Sequence, residues 1–174
     1  DVRWVTGTLT ADAPADCLCG VGGDLRLAAA DVGMPSLQRV NGALVVESAA
    51  RTASLPALRS LERGLRLEGT ELVTLDLPVL AESGSLVVRD NPALERLDLA
   101  GLRVAHADLV VRDNPLLGAL DVGALTEVGG VFDVRDNLLL AELHAPHQLV
   151  ALPDALQVSF HPELPVLSGF EGLR

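Results

Sequence analysis

The sequence LVVRDNP occupies residues 86–92 and returns unchanged at residues 109–115, and the related sequence FDVRDN occupies residues 132–137. Repetition at a fixed period of about 20 to 50 residues is typical of solenoids and other repeat architectures. In such proteins each repeat buries its apolar side against the next repeat. The motif therefore indicates a stacked fold in which its apolar, charged and turn-forming residues have different structural roles.

The period extends over most of the chain when the repeats are aligned on their first apolar residue. Successive copies of that residue are 19 to 24 positions apart: Leu25, Leu44, Leu65, Leu86, Leu109, Phe132 and Leu156. The residue two positions later is also apolar in every copy: Leu27, Val46, Leu67, Val88, Val111, Val134 and Val158. The residue between these two columns varies: Arg26, Val45, Arg66, Val87, Val110, Asp133 and Gln157. This alternation predicts a short strand with one buried face.

A second alternation follows the first in the central repeats. It is visible at residues 75–77 (LDL), 97–99 (LDL), 120–122 (LDV) and 143–145 (LHA). No repeat contains a ten-residue helical pattern, and Gly or Pro interrupts the turns. We therefore predict an all-β solenoid of about seven short leucine-rich coils, with two strands in each coil, rather than a β/α horseshoe.

The aligned repeats also carry a family resemblance. It is strongest in GSLVVRDNPALERLDLAGL (84–102), ADLVVRDNPLLGALDVGAL (107–125) and GVFDVRDNLLLAELHAPHQL (130–149). These segments resemble the receptor L-domain family, the leucine-rich right-handed β-helices that form ligand-binding lobes of growth factor receptors and also occur in bacterial surface proteins. The resemblance implies a right-handed β-helix with a binding role and transfers no catalytic residue. We expect an N-terminal cap and first partial coil in residues 1–22 and the L-domain-like solenoid in residues 23–174.

Charge and composition exclude several classes of function. The chain has a formal net charge of −11, and all 13 basic residues are Arg, so its surface repels nucleic acid and anionic lipid. Charged residues interrupt every apolar stretch before it reaches the roughly 18 residues of a membrane span, and we expect no membrane insertion. The chain lacks Lys, Ile and Tyr, which have AT-rich codons, and this bias indicates a GC-rich bacterial genome.

The candidate binding surface consists of outward side chains of the first strand: Val45, Val87, Arg89, Val110, Arg112, Asp133 and Arg135. The valines supply an apolar centre for a partner, unless a terminal segment covers them. The arginines can pair with acidic groups of a ligand. Alternatively, Glu68 and the aspartates that follow each arginine, Asp90, Asp113 and Asp136, neutralise a solvated face.

Asn91, Asn114 and Asn137 occupy one column of the repeats, and Pro92 and Pro115 fix the turn after it. Inward asparagines in stacked coils can hydrogen-bond to one another and to backbone groups that the turn leaves unpaired. We predict that these three residues form a structural ladder and take no part in ligand binding.

Other polar residues give no clear site for chemistry. The acidic column Asp76, Asp98 and Asp121 fits weak Ca²⁺ binding or, alternatively, a hydrated surface that discourages aggregation; without a glycine-rich loop we predict no metal. Cys17 and Cys19 lack further zinc ligands at suitable spacing, and they are poorly spaced for a relaxed disulfide. We expect thiols, or bonds to cysteines elsewhere. Neither a Gly-x-Ser-x-Gly nor an HExxH motif is present, and we predict no catalysis and no cofactor.

Together these observations predict a secreted or cell-surface module that binds a protein or other cell-surface ligand. The alternatives are a structural spacer or surface-layer component and, as a minor alternative, a polysaccharide-acting β-helix enzyme. The last repeat stops at Arg174 where another strand begins, so we expect a truncated C-terminal end. Because open solenoid ends pair with other chains, we expect either end-to-end self-association or coverage of the last coil by residues 159–172.

Overall fold

The structure, a computed structural model, describes residues 3–11, 17–149, 154–159, 162–164 and 170. Within these residues all regular secondary structure is β-strand, and the strands of successive turns pair in parallel. Each turn passes through three faces, which we name the first, second and third faces. The chain therefore winds as a solenoid.

Every face is a ladder of short strands. The first face contains β2 (Leu9–Ala11), β4 (Leu25–Leu27), β7 (Ala43–Val46), the C-terminal halves of β9 (Ser60–Glu68) and β11 (Glu82–Arg89), β14 (Leu109–Arg112), β17 (Val131–Arg135) and β19 (Ala155–Ser159). The second face contains β5 (Asp31–Gly33), β8 (Thr52–Ser54), β10 (Thr74–Asp76), β12 (Arg96–Asp98), β15 (Ala119–Asp121) and β18 (Glu142–His144). The third face contains β1 (Arg3–Val5), β3 (Leu18–Val21), β6 (Arg39–Val40), the N-terminal halves of β9 and β11, β13 (Val104–Ala105) and β16 (Glu127–Val128).

The registers of the first two faces follow the predicted columns. On the first face the column of paired residues runs without a break from Leu25 to Leu156, and β2 adds one rung because Leu9 pairs with Leu25. On the second face Leu75 pairs with Leu97 in the same way. The prediction of an all-β solenoid is confirmed, and the six strands of the second face correspond to about six turns.

The third face is an element that the sequence pattern does not reveal. Three of its strands are only two residues long, so each has a single inward residue and no alternation. β9 and β11 pass from the third face to the first without interruption. At this corner Gly64 has a φ of 110°, and a Cβ atom there would lie 1.8 Å from the carbonyl oxygen of Ser85. The close approach of the two rungs therefore requires glycine.

The inward columns form one continuous apolar core. On the first face they are buried from Leu25 to Val134, and the inward leucines of the second face join the same cluster. Phe132 replaces leucine in the column, and its ring meets Phe170 edge-on with the centroids 5.6 Å apart. Burial of one leucine side chain contributes about 1.5 to 3 kcal/mol. The repeated leucines are thus the main source of stability.

The Arg-Asp-Asn part of the motif forms the corner after the first face. Asp90, Asp113 and Asp136 have φ angles of 59°, 55° and 55°, and Gly69, at the same position one turn earlier, has a φ of 60°. Glycine adopts this left-handed conformation readily, and Asp adopts it at lower cost than most residues. The aspartate of the motif is therefore a corner residue that directs the following asparagine inward.

The asparagines are buried and hydrogen-bonded along the stack. The side-chain amide of Asn91 donates to Oδ1 of Asn114 (2.9 Å), and that of Asn114 donates to Oδ1 of Asn137 (3.1 Å). The amide of Asn91 also donates to the backbone carbonyl of Leu67. One turn earlier, the backbone N–H and the hydroxyl of Thr70 both donate to Oδ1 of Asn91. Side chains thus satisfy polar groups that the corner buries in four successive turns.

The two chain ends are described to different extents. At the N-terminus β1 pairs with β3 on the third face and β2 pairs with β4 on the first face. At the C-terminus, residues 160, 161, 165–169 and 171–174 lie outside the described residues. The expected coverage of the last coil by residues 159–172 falls largely on this part of the chain, so it stays a prediction, as does end-to-end self-association.

Two substitutions of Asp113 separate backbone conformation from ion pairing. Both Asp113→Gly and Asp113→Ala remove the 3.1 Å contact with Arg112, but only glycine adopts the observed φ of 55° without strain. We expect the free energy of unfolding of Asp113→Ala to be about 1 kcal/mol lower than that of Asp113→Gly in urea denaturation. Equal stability of the two variants would contradict this account of the corner.

Removal of one asparagine tests the ladder. Asn114→Ala removes the acceptor of the buried Asn91 backbone N–H and the side-chain donor to the Val88 carbonyl, as well as the amide contacts with Asn91 and Asn137. Each buried polar group left unpaired costs about 1 to 3 kcal/mol, so we expect the free energy of unfolding to fall by about 2 to 4 kcal/mol. Gln157→Ala, at an exposed position, is the control and should change it by less than about 0.5 kcal/mol.

Candidate functional site

The outward surface of the first face is the candidate binding surface, and register fixes its neighbours. Val45 pairs with Arg66, which pairs with Val87, so a charged side chain separates the first predicted valine from the second. Val87 and Val110 are direct neighbours, and both are half-buried. The next residue in the column is Asp133. The structure therefore limits the adjacent apolar centre to Val87 and Val110.

A network of ion pairs borders this centre on one side. Glu68 lies between two arginines, with Oε2 3.0 Å from Nη2 of Arg66 and Oε1 3.2 Å from Nε of Arg89. The hydrogen bond from Arg89 is the main cause that lowers the pKa of Glu68 below its ordinary value, while partial burial opposes the shift and Arg66 adds to it. Of the predicted binding residues, Arg89 thus already has a partner within the chain.

The remaining arginines of the column also have acidic neighbours. Nη1 of Arg112 lies 3.1 Å from Oδ2 of Asp113, and Nε of Arg135 lies 3.1 Å from Oδ1 of Asp133. The second contact is a charge–charge contact without hydrogen-bond geometry, because neither atom has a hydrogen-bond partner. Roughly a third of each arginine side chain stays exposed, so both guanidinium groups can still reach a ligand.

Asp133 is buried although it belongs to the outward column. Only 8% of its side chain is exposed. Burial is the main cause that raises the pKa of Asp133 above its ordinary value, and the positive charges of Arg135 and Arg112 offset this in part. Of the predicted binding residues, Asp133 therefore offers a partner little contact area, and it affects binding mainly through its charge.

A shallow depression lies beside Val87. Its volume is about 250 Å³, and its lining includes Ala43, Gly64, Arg66, Ser85 and Val87. It exists because Gly64, at the crossing from the third face, places no side chain between Ala43 and Ser85. A depression of this size, with an apolar floor and charged sides, can receive one side chain of a partner.

An apolar ridge at the corner after the first face is a feature that the sequence reasoning missed. Leu116, Leu138 and Leu139 are 41%, 51% and 49% exposed. They follow Asn114 and Asn137, and the backbone N–H of Leu139 donates to the carbonyl of Pro115 on the turn before. The sequence signal was the run of leucines after Asn114 and after Asn137, in which only Leu117 and Leu140 are buried. We name Leu116, Leu138 and Leu139 the leucine ridge.

Arg96 partly neutralises the acidic column of the second face, and His144 contacts one of its members. Nε of Arg96 lies 3.1 Å from Oδ1 of Asp76, and Nη2 of Arg96 lies 3.3 Å from Oδ2 of Asp98. Nδ1 of His144 lies 3.3 Å from Oδ2 of Asp121. Within the part of the chain that the structure describes, no group of three His, Cys, Asp or Glu side chains is arranged to hold a metal ion. Cys17 and Cys19 are both free.

Comparison of the chain with known protein families, with characterised proteins and with solved structures finds no match. None of the described residues forms a helix that could span a lipid bilayer.

The buried carboxylate of Asp133 makes stability depend on pH. Because burial raises its pKa, the folded chain binds a proton more readily than the unfolded chain, and stability falls as pH rises from the unfolded pKa through the raised folded pKa. Asp133→Asn removes the buried charge. We expect the variant to be more stable than the wild type at neutral pH, and the difference to vanish below about pH 4, as measured by urea denaturation across a pH series.

Glu68→Gln is the matched control, with the opposite sign. The pKa of Glu68 is lowered, so its stabilising contribution is present above the unfolded pKa and is lost as pH falls through the folded pKa. Glu68→Gln should therefore be less stable than the wild type at neutral pH and equal to it in acid. If both variants shift stability in the same direction at neutral pH, the burial argument for Asp133 is wrong.

Proposed function

We propose that this chain is a non-catalytic extracytoplasmic binding module of the receptor L-domain type, which presents its first face to a protein partner. The observation that carries the proposal is the adjacent pair Val87 and Val110, in register, with Arg89 and Arg112 beside them. An apolar centre with a polar, partly exposed rim is the usual anatomy of a protein-binding surface. The repeat resemblance described above supports the same assignment.

The geometry favours recognition by a preformed surface. Outward side chains stand on strands that are hydrogen-bonded to both neighbours, and the asparagine ladder fixes the adjoining corner. A surface that is already ordered loses little conformational entropy when a partner binds. The ion pairs around Glu68 also restrain Arg66 and Arg89, whose side chains stay partly exposed.

The leucine ridge extends this surface beyond the sheet. Leu116 and Leu139 lie on adjacent turns, just past the corner that ends β14 and β17. Their exposed fractions exceed those of the half-buried valines, so they offer larger apolar contacts. A partner that covers both regions would bury the valine centre and wrap around the corner.

A double substitution on the first face tests the proposal. Beads carrying the wild-type chain are used to isolate binding proteins from extracellular and cell-surface fractions of the source organism, and each protein is then purified for titration. Val87→Asp together with Val110→Asp should weaken binding at least about tenfold, because a partner would have to desolvate two carboxylates. Binding is measured by calorimetry.

Val104→Asp is the matched control. Val104 is a half-buried outward valine on the third face, in register with Glu82 and Glu127. The proposal requires this variant to bind like the wild type. Equal affinity of the first-face variant and the wild type would refute the assignment. A wild-type chain that retains no protein, yet forms assemblies unaffected by both variants, would favour a structural spacer.

A further inference from the structure

A second surface, on the third face near the start of the chain, has the composition of a ligand site. Trp4 is the single tryptophan of the chain, and it is 47% exposed. It borders a groove of about 310 Å³, whose lining is completed by Cys19, Gln38, Arg39, Arg59 and Ser60. The first-face surface described above includes none of these residues.

The indole of Trp4 packs on Gly20 of β3, the residue with which Trp4 is paired. A Cβ atom at Gly20 would lie 1.9 Å from ring carbon Cζ3, and one at Gly22 would lie 3.4 Å from ring nitrogen Nε1. The ring therefore occupies the space that the absent side chain of Gly20 leaves, and its exposed part borders the groove. Packing against the backbone restricts the ring, so a ligand would meet a surface that is already positioned.

The two arginines of the groove differ from those of the first face. Among the described residues, Arg39 and Arg59 have no ion pair, whereas the first-face arginines all have one: Arg26, Arg66, Arg89, Arg112 and Arg135. They lie on adjacent turns, because Arg39 pairs with Ser60, the residue that follows Arg59. In a chain with a net charge of −11, two adjacent unpaired guanidinium groups are available to an anion.

We propose that this groove binds a single acidic sugar, a hexuronate, which packs its ring on Trp4 and places its carboxylate between Arg39 and Arg59. The C–H face of a pyranose ring is apolar, and it packs on an aromatic surface. A guanidinium group matches the planar carboxylate with parallel hydrogen bonds. Gln38 and Ser60 supply donors and acceptors for the sugar hydroxyls.

Two features of its surroundings restrict the ligand of this groove: one disfavours an added peptide strand, and the other disfavours a long polyanion. The strands beneath it, β3, β6 and β9, are each paired on both sides, so a peptide cannot add to them as a further strand. A hexuronate requires only side-chain contacts. Beyond Arg39, a neighbouring depression of about 250 Å³ is lined by Glu62 and Glu82, which would repel a long polyanion. The site therefore suits one acidic unit, and it does not depend on the first-face proposal.

Fluorescence tests this directly, because Trp4 is the single tryptophan and the chain has no tyrosine. The whole chain is titrated with glucuronate, glucose, acetate and tetraglutamate at constant ionic strength. We expect a saturable change of Trp4 emission with glucuronate, and much weaker responses to the other three compounds. Calorimetry with glucuronate is run in parallel, and it decides the result if the emission does not change.

Charge-removing variants locate the interaction. Arg39→Gln and Arg59→Gln should each weaken glucuronate binding about tenfold, the cost of losing a charged hydrogen bond. Arg103→Gln is the control, because Arg103 is an exposed residue in the same column as Arg59, two turns away. Circular dichroism verifies that each variant is folded.

Three results would overturn the proposal. One is the absence of saturable binding of glucuronate by both methods. Another is an equal response to glucose or a stronger response to tetraglutamate, which would remove the acidic sugar as the ligand. The last is an equal loss of binding in Arg103→Gln, which would indicate general electrostatic attraction.

Discussion

Parallel pairing of each turn with the next, in register, is the constraint on which this structure depends. Once Leu25 pairs with Leu44, the strand residues that follow stack on their counterparts at about 4.8 Å. A shift of one residue would turn the whole leucine column outward. Register therefore fixes the core and the surface together, and a change in one column position affects contacts on both adjacent turns.

The corner after the first face protects that register. At this corner the chain must bury backbone groups that no longer lie in a ladder, and the asparagine side chains take their place. The left-handed residue before each asparagine, Asp90, Asp113 or Asp136, makes this inward orientation possible. The repeated motif is thus a structural device for turning the chain, and its repetition reflects the period of the solenoid.

Stacking also determines the electrostatics of the surface. Like charges repeated at the spacing of one rung repel each other, and the observed contacts relieve this: Glu68 lies between Arg66 and Arg89, and Arg96 contacts both Asp76 and Asp98. Asp133, Arg39 and Arg59 are exceptions to this balance. Asp133 is buried beside Arg135, and Arg39 and Arg59 face the groove of Trp4. The pH dependence expected at Asp133 and the anion binding proposed at Arg39 and Arg59 both follow from this incomplete charge compensation.

The sequence by itself determined the fold class, the period and the composition of each inward column, because burial selects apolar residues at alternate positions in every turn. It did not reveal the third face, where strands such as Val104–Ala105 are too short to alternate. For the candidate site it identified the outward column and the order of its members, but not which of them are buried or paired. The burial of Asp133, the ion pairs of Glu68 and the groove of Trp4 depend on packing across turns about twenty residues apart, so only the tertiary structure decided them.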